Sequence, residues 1–218
     1  MSVLAKLIRP FVAALALSGN AWATPINDPI GDFLPAYIGV KGGDLDVVRA
    51  DVTLIGNHSF NFFAQLNGNI GTTPGGFYIF GLDRGAGTER FVGGTPSVGA
   101  GVFFDSVVII NPDGTGIVNL LGLGGGATPF TVAALSGNTF SFNLAASLFP
   151  TRGRALADYG WNLWPRDGNG NAHISDFAPD ASTPRVSAVP VPPTALLLGL
   201  GLIGLAAARA GTRRGARA

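Results

Sequence analysis

Along much of this chain the side chains alternate with a period of two. In Thr139-Phe-Ser-Phe-Asn-Leu144, Phe140, Phe142 and Leu144 fall on one side of an extended backbone and Thr139, Ser141 and Asn143 on the other. A strand sends successive side chains to opposite faces, so the pattern buries one face of a sheet and wets the other. A helix, with its 3.6-residue repeat, would scatter the same residues around its surface. Val47 to Ile55, Phe60 to Leu66, Phe77 to Phe80, Val102 to Ile110, Ile117 to Leu121 and Phe130 to Leu135 read as further strands. Turn formers separate them: Gly56-Asn57, Pro74-Gly-Gly76, Asn111-Pro-Asp-Gly114 and Ser136-Gly-Asn138. Short strands at this spacing predict an all-β domain, an antiparallel β-sandwich or jelly roll. One helical turn is expected at Ala145 to Phe149, before Pro150.

The two ends obey other rules. Lys6 and Arg9 precede the apolar run Phe11 to Leu17, and the small-x-small triplet Ala21-Trp22-Ala23 follows. Positive charge, apolar run and small-residue site, in that order, make a secretory signal peptide over 1–23. At the other end, Val186 to Ala208 is 23 residues without a charge. Its apolar core suits a single membrane helix over 194–208, since about 20 apolar residues cross ~30 Å of hydrocarbon. Arg209, Arg213, Arg214 and Arg217 follow at once, and basic residues hold a tail over 209–218 in the cytoplasm. Leader and tail agree on one topology, with a β domain over 24–180 exported and a linker and sorting motif over 181–193 leading back to the membrane.

That division changes the meaning of the charge. The full chain carries 14 basic and 13 acidic residues, +1 in all, but two of the bases lie in the leader and four in the tail. The remainder holds eight bases against all 13 acids, a net of −5. Such a domain gains nothing from counterion release on a phosphate backbone, so nucleic acid is not an expected partner. The chain has no cysteine, which an exported domain of this size does not need to build its core.

Val189-Pro190-Val191-Pro192-Pro193, the apolar helix and the Arg-rich end resemble a PEP-CTERM sorting signal, with Val191 where that family carries Glu. The resemblance implies recognition by an exosortase-type membrane protease, transient anchoring in the inner membrane, and release to the cell surface or beyond in bacteria that make exopolysaccharide. Asp28-Pro-Ile-Gly-Asp-Phe-Leu-Pro35, Asp44 to Leu54, Asp83-Arg-Gly-Ala-Gly87, Leu163-Trp-Pro-Arg166 and Ser175-Asp-Phe-Ala-Pro-Asp180 are similar to a module of exported bacterial proteins. That second likeness implies export and a β fold, and no activity.

Catalytic chemistry has few candidates. The only histidines are His58, in a turn, and His173, and no Gly-x-Ser-x-Gly elbow occurs. Zinc lacks its usual donors in a chain with two His, no Cys and one Glu. Calcium is better served. Asp167, Asn169 and Asn171 place oxygen side chains at every second residue of a Gly-rich loop, and Asp176 can add a carboxylate. Ala178 stands where an EF-hand has its bidentate Glu, so an Asx-rich turn bonding its own backbone is the competing reading. A second acidic group, Asp28, Asp32, Asp44 and Asp46, would be joined by Asp176 and Asp180 if the two ends of the domain meet. Tyr159, Trp161 and Trp164 offer faces on which sugar rings stack. Alternate aromatics more often face a core, and Leu163 shares the stretch. Together these features lead us to expect a non-enzymatic cell-surface or extracellular-matrix protein, with a calcium-dependent carbohydrate-binding module as the alternative.

Overall fold

The computed structural model describes residues 25–122 and 126–189. They form ten strands in two sheets: β1 (Ile26–Asn27), β2 (Val47–Ile55), β3 (Ser59–Leu66), β4 (Phe77–Asp83), β5 (Ser106–Ile110), β6 (Thr115–Leu120), β7 (Thr128–Thr131), β8 (Thr139–Ala145), β9 (Gly160–Arg166) and β10 (Ser187–Val189). The first sheet runs β1-β2-β3-β8, with β10 also on β2, and the second runs β7-β6-β5-β4-β9. Every pairing is antiparallel except that of β10, which lies parallel to β2. The all-β expectation holds, and the two-sheet arrangement is that of a sandwich. Among the described residues no helix is long and apolar enough to cross a membrane. The leader over 1–23, the span over 194–208, and Pro190, Val191, Pro192, Pro193, Arg209, Arg213 and Arg214 of the sorting signal lie outside the described residues.

The sheets meet through aromatic rings. Phe62 of β3 stacks on Phe142 of β8 at 5.3 Å and meets Phe80 of β4 edge-on at 5.2 Å. Tyr78 of β4 lies 5.2 Å from Phe140 of β8. Each buried Phe is worth about 1.5–3 kcal/mol of transfer free energy, and a well-set ring pair adds about 0.5–1.5 kcal/mol. The β2–β3 register is held by a tight turn in which Gly56 and Asn57 take positive φ (54° and 57°) and the His58 N–H donates to Ile55 O. His58 is exposed there, a solvated turn residue. The turn expected at Ala145 to Phe149 is a single 3-10 turn at Ala146–Leu148.

Two boundaries differ from the sequence reading. The strand expected from Val102 begins only at Ser106, because Asp105 turns inward to meet Arg84. Both side chains are fully buried, with Arg84 Nε 2.8 Å from Asp105 Oδ1. The guanidinium also donates to Pro150 O and Asp105 O, so the pair is satisfied and serves the fold. The first part of the spacer expected from 181 packs on the β domain. Val186 is buried, Ser187–Val189 pairs with β2, and Val189 is the last described residue of the domain. Proline removes a donor but keeps its carbonyl, and β9 uses those carbonyls: Trp161 N–H donates to Pro184 O and Asn162 Nδ2 to Pro179 O.

Candidate metal centre

The segment after β9 decides the site. Ile174 and Phe177 point to one side of it and pack on Trp164, while Asp176 points to the other, toward the start of β2. There it meets the loop after β1. Asp28 N–H donates to Val48 O, which fixes that loop against β2, and Leu34 N–H donates to Ser175 O. Gly31 takes φ +82°, a conformation L side chains rarely adopt, and turns its N–H onto both carboxylate oxygens of Asp46 at 3.1 and 2.9 Å.

The result is a convergence of five carboxylates from three parts of the chain. Ligand oxygens of Asp28, Asp32 and Asp180 lie within 4.8 Å of one another, and so do those of Asp32, Asp46 and Asp176. Two oxygens on opposite sides of a calcium ion, each at about 2.4 Å, are separated by about 4.8 Å, so the spacing suits such an ion. Asp46 and Asp176 are held by backbone and amide donors: Asn67 Nδ2 on Asp46 at 2.9 Å, Val47 N–H and Phe177 N–H on Asp176 at 2.9 and 2.7 Å. Asp28 is only 9% exposed, and among the described residues its Oδ2 meets no hydrogen-bond donor; Oδ1 of Asp32 is likewise buried and without one.

Among the described residues no ion pair reaches any of the five. Like charges ~4 Å apart repel by about 4 kcal/mol at an effective dielectric of about 20, so protons or a cation must neutralise the group. Burial first, then the charges of Asp32, Asp180 and Asp46, pushes the Asp28 carboxyl up to about 8. Burial, reinforced by Asp28 and Asp32, pushes Asp176 up to about 9, and burial also raises Asp32. An all-oxygen, all-carboxylate donor set with no His or Cys is the set for a hard cation and a poor one for zinc.

The loop that sequence spacing favoured is arranged differently. Asp167 Oδ2 accepts from Tyr37 Oη at 2.9 Å and its Oδ1 lies 2.8 Å from His173 Nδ1. Asn171 Nδ2 donates to Phe91 O and Pro96 O, and Asn169 is exposed. Gly168 O and Gly170 O turn onto the Arg166 guanidinium at 2.6 and 2.8 Å, so the loop closes around a side-chain cation. Of Asp167, Asn169, Asn171 and Asp176, only Asp176 joins the carboxylate group. From the second acidic run, Asp28, Asp32 and Asp46 come together with Asp176 and Asp180. Asp44 lies apart and accepts from Thr73 N–H and Oγ1.

Tyr159, Trp161 and Trp164 are 0%, 1% and 1% exposed. Their ring faces are spent on protein: Tyr159 stacks on Phe60, and Trp164 contacts Phe91, Phe104 and Phe177. No face of the three is open to a sugar ring, which corrects the carbohydrate-stacking expectation at these positions. An open cleft of about 420 Å³ lies elsewhere, lined by Asp83, Gly85, Gly87, Gly101, Phe103, Arg154 and Thr183. Its carboxylate is engaged, with Asp83 Oδ1 accepting from Gly85 and Gly87 N–H and Oδ2 paired with Arg154 at 2.7 Å. Comparison of the chain with family models, with curated proteins and with solved structures gives no match.

Proposed function

We propose that this chain is an exported β-sandwich that binds calcium through Asp28, Asp32, Asp46, Asp176 and Asp180 and acts as a non-enzymatic component of the cell surface or extracellular matrix. The observation that carries the calcium reading is the convergence of five carboxylates, with two buried oxygens meeting no donor and no basic side chain paired to any of them among the described residues. Export and sorting by an exosortase-type protease rest on the leader and the Pro-rich, apolar and Arg-rich tail. The two parts of the proposal support each other. Calcium modules that work outside cells bind at about 0.1–1 mM, so a site of this kind fills after export and completes the fold there.

Binding to the native state alone stabilises it by RT ln(1 + [L]/Kd), about 1.4 kcal/mol when calcium is tenfold above Kd. The full chain, purified in detergent, should melt several degrees higher in millimolar calcium than in chelator, with magnesium much less effective. A melting temperature that is the same in calcium and chelator overturns the calcium reading.

A further inference from the structure

The five carboxylates form two overlapping groups, and Asp32 is the single member common to both. We propose that the centre takes two calcium ions, one among Asp28, Asp32 and Asp180 and one among Asp32, Asp46 and Asp176, with the Asp32 carboxylate bridging them. This rests on the calcium reading above and adds stoichiometry and order to it.

Charge favours the pair. Five carboxylates around one divalent ion leave −3 in a largely buried space, and a second ion reduces this to −1, close to neutral. The oxygens also divide between two positions. Asp28, nine-tenths buried, has an Oδ2 with no donor among the described residues, and one of its oxygens lies within 4.8 Å of oxygens of Asp32 and Asp180. A single ion placed among Asp32, Asp46 and Asp176 would draw on the second group and leave Asp28 and Asp180 to face each other without a cation.

The two positions differ in preparation. Asp46 and Asp176 are 1% and 0% exposed and are oriented by N–H donors from Gly31, Asn67, Val47 and Phe177. Asp46 Oδ2 takes two of these donors, while Asp46 Oδ1 and both oxygens of Asp176 accept one each and keep a lone pair for a metal. Preorganised ligands spend less on ordering, so the inner position fills first. The outer position depends on Asp180, which is exposed, and fills second and more weakly.

Equilibrium dialysis of the full chain in detergent against radioactive calcium alone tests the proposal. Two ions per chain are expected, falling to one in Asp180→Asn, a change at an exposed residue that leaves the core packing intact. One ion per chain in both the natural chain and Asp180→Asn overturns the two-ion arrangement while the calcium reading stands. No bound calcium in the natural chain overturns both. Asp32→Asn, at the bridging position, should lower occupancy at both positions, and full retention of two ions in that variant also overturns the bridge.

Discussion

Strands β8 and β9 are the same length, seven residues, and their burial differs completely. Along β8 exposed and buried residues alternate without a break, from Thr139 outside and Phe140 inside to Ala145 outside. Along β9 all but Arg166 are buried. Both strands give one face to the core between the sheets. The other face of β8 meets solvent, whereas the other face of β9 is covered by the segments around Phe91, Val102, Phe104, Ile174 and Phe177. Gly81, on neighbouring β4, lies directly under the Trp164 ring, where an added Cβ would stand 2.5 Å from it. Alternation in sequence therefore reports water on one side of a sheet, and a sheet covered on both sides loses it.

The largest test of that contrast is Trp164→Ala. Trp164 points to the outer side of its sheet, yet its loss should cost about 3–5 kcal/mol, as much as Phe62→Ala between the sheets, because both leave a cavity in packed surroundings. Urea unfolding measures both. A cost below about 1 kcal/mol for Trp164→Ala would show that the cover over β9 is not a second core.

The next test lies in the acidic centre, which shares the covering segment through Asp176. With calcium chelated, the folded-state carboxyls of Asp28 (about 8) and Asp176 (about 9) lie above their ordinary value of 3.8. The folded chain then holds protons that the unfolded chain releases. The sign follows: this contribution is fully present below about pH 4 and is lost as pH rises through about 8 to 9. The chelated protein should melt lower at pH 8 than at pH 5, and saturating calcium should remove most of the difference. A chelated melting temperature that is flat or rising over that interval would contradict the assignment of these two groups.

The smallest effect is expected on the open face of β8. Ser141→Ala removes an exposed hydroxyl bonded to Asn61 Nδ2 and should change stability by no more than about 0.5 kcal/mol in urea unfolding. A cost above about 1.5 kcal/mol would mean that this face is covered too.

These contrasts explain what could be read in advance. Strands β2, β3 and β8 were legible because each buries one face and offers polar residues on the other, and the turns between strands were legible from Gly, Asn and Pro. Strand β9 was not. Its tryptophans serve two different cores, so Trp161, Asn162, Leu163 and Trp164 show no polar beat, and the stretch read as an aromatic cluster, with core packing weighed against sugar-stacking faces. Strand β10 is three residues in a Pro- and Ser-rich segment, and its place beside β2 depends on a partner more than 130 positions earlier.

The acidic centre divides in the same way. Sequence supplied the residue types and the runs around Asp28 and Asp46, and it counted Asp176 and Asp180 in if the ends of the domain met. It also determined the alternation of the open sheet, the turns and the negative charge of the domain, because these are local or additive properties of the residues. Only the tertiary structure decided that the segment after β9 reaches the start of β2, so that Asp176 joins Asp28, Asp32 and Asp46 while Asp44 turns to Thr73. It also decided that the loop with the more regular oxygen spacing closes on Arg166. A carboxylate group drawn from residues 28 to 180 depends on chain closure over long separations, and local spacing carries no information about which carboxylates meet.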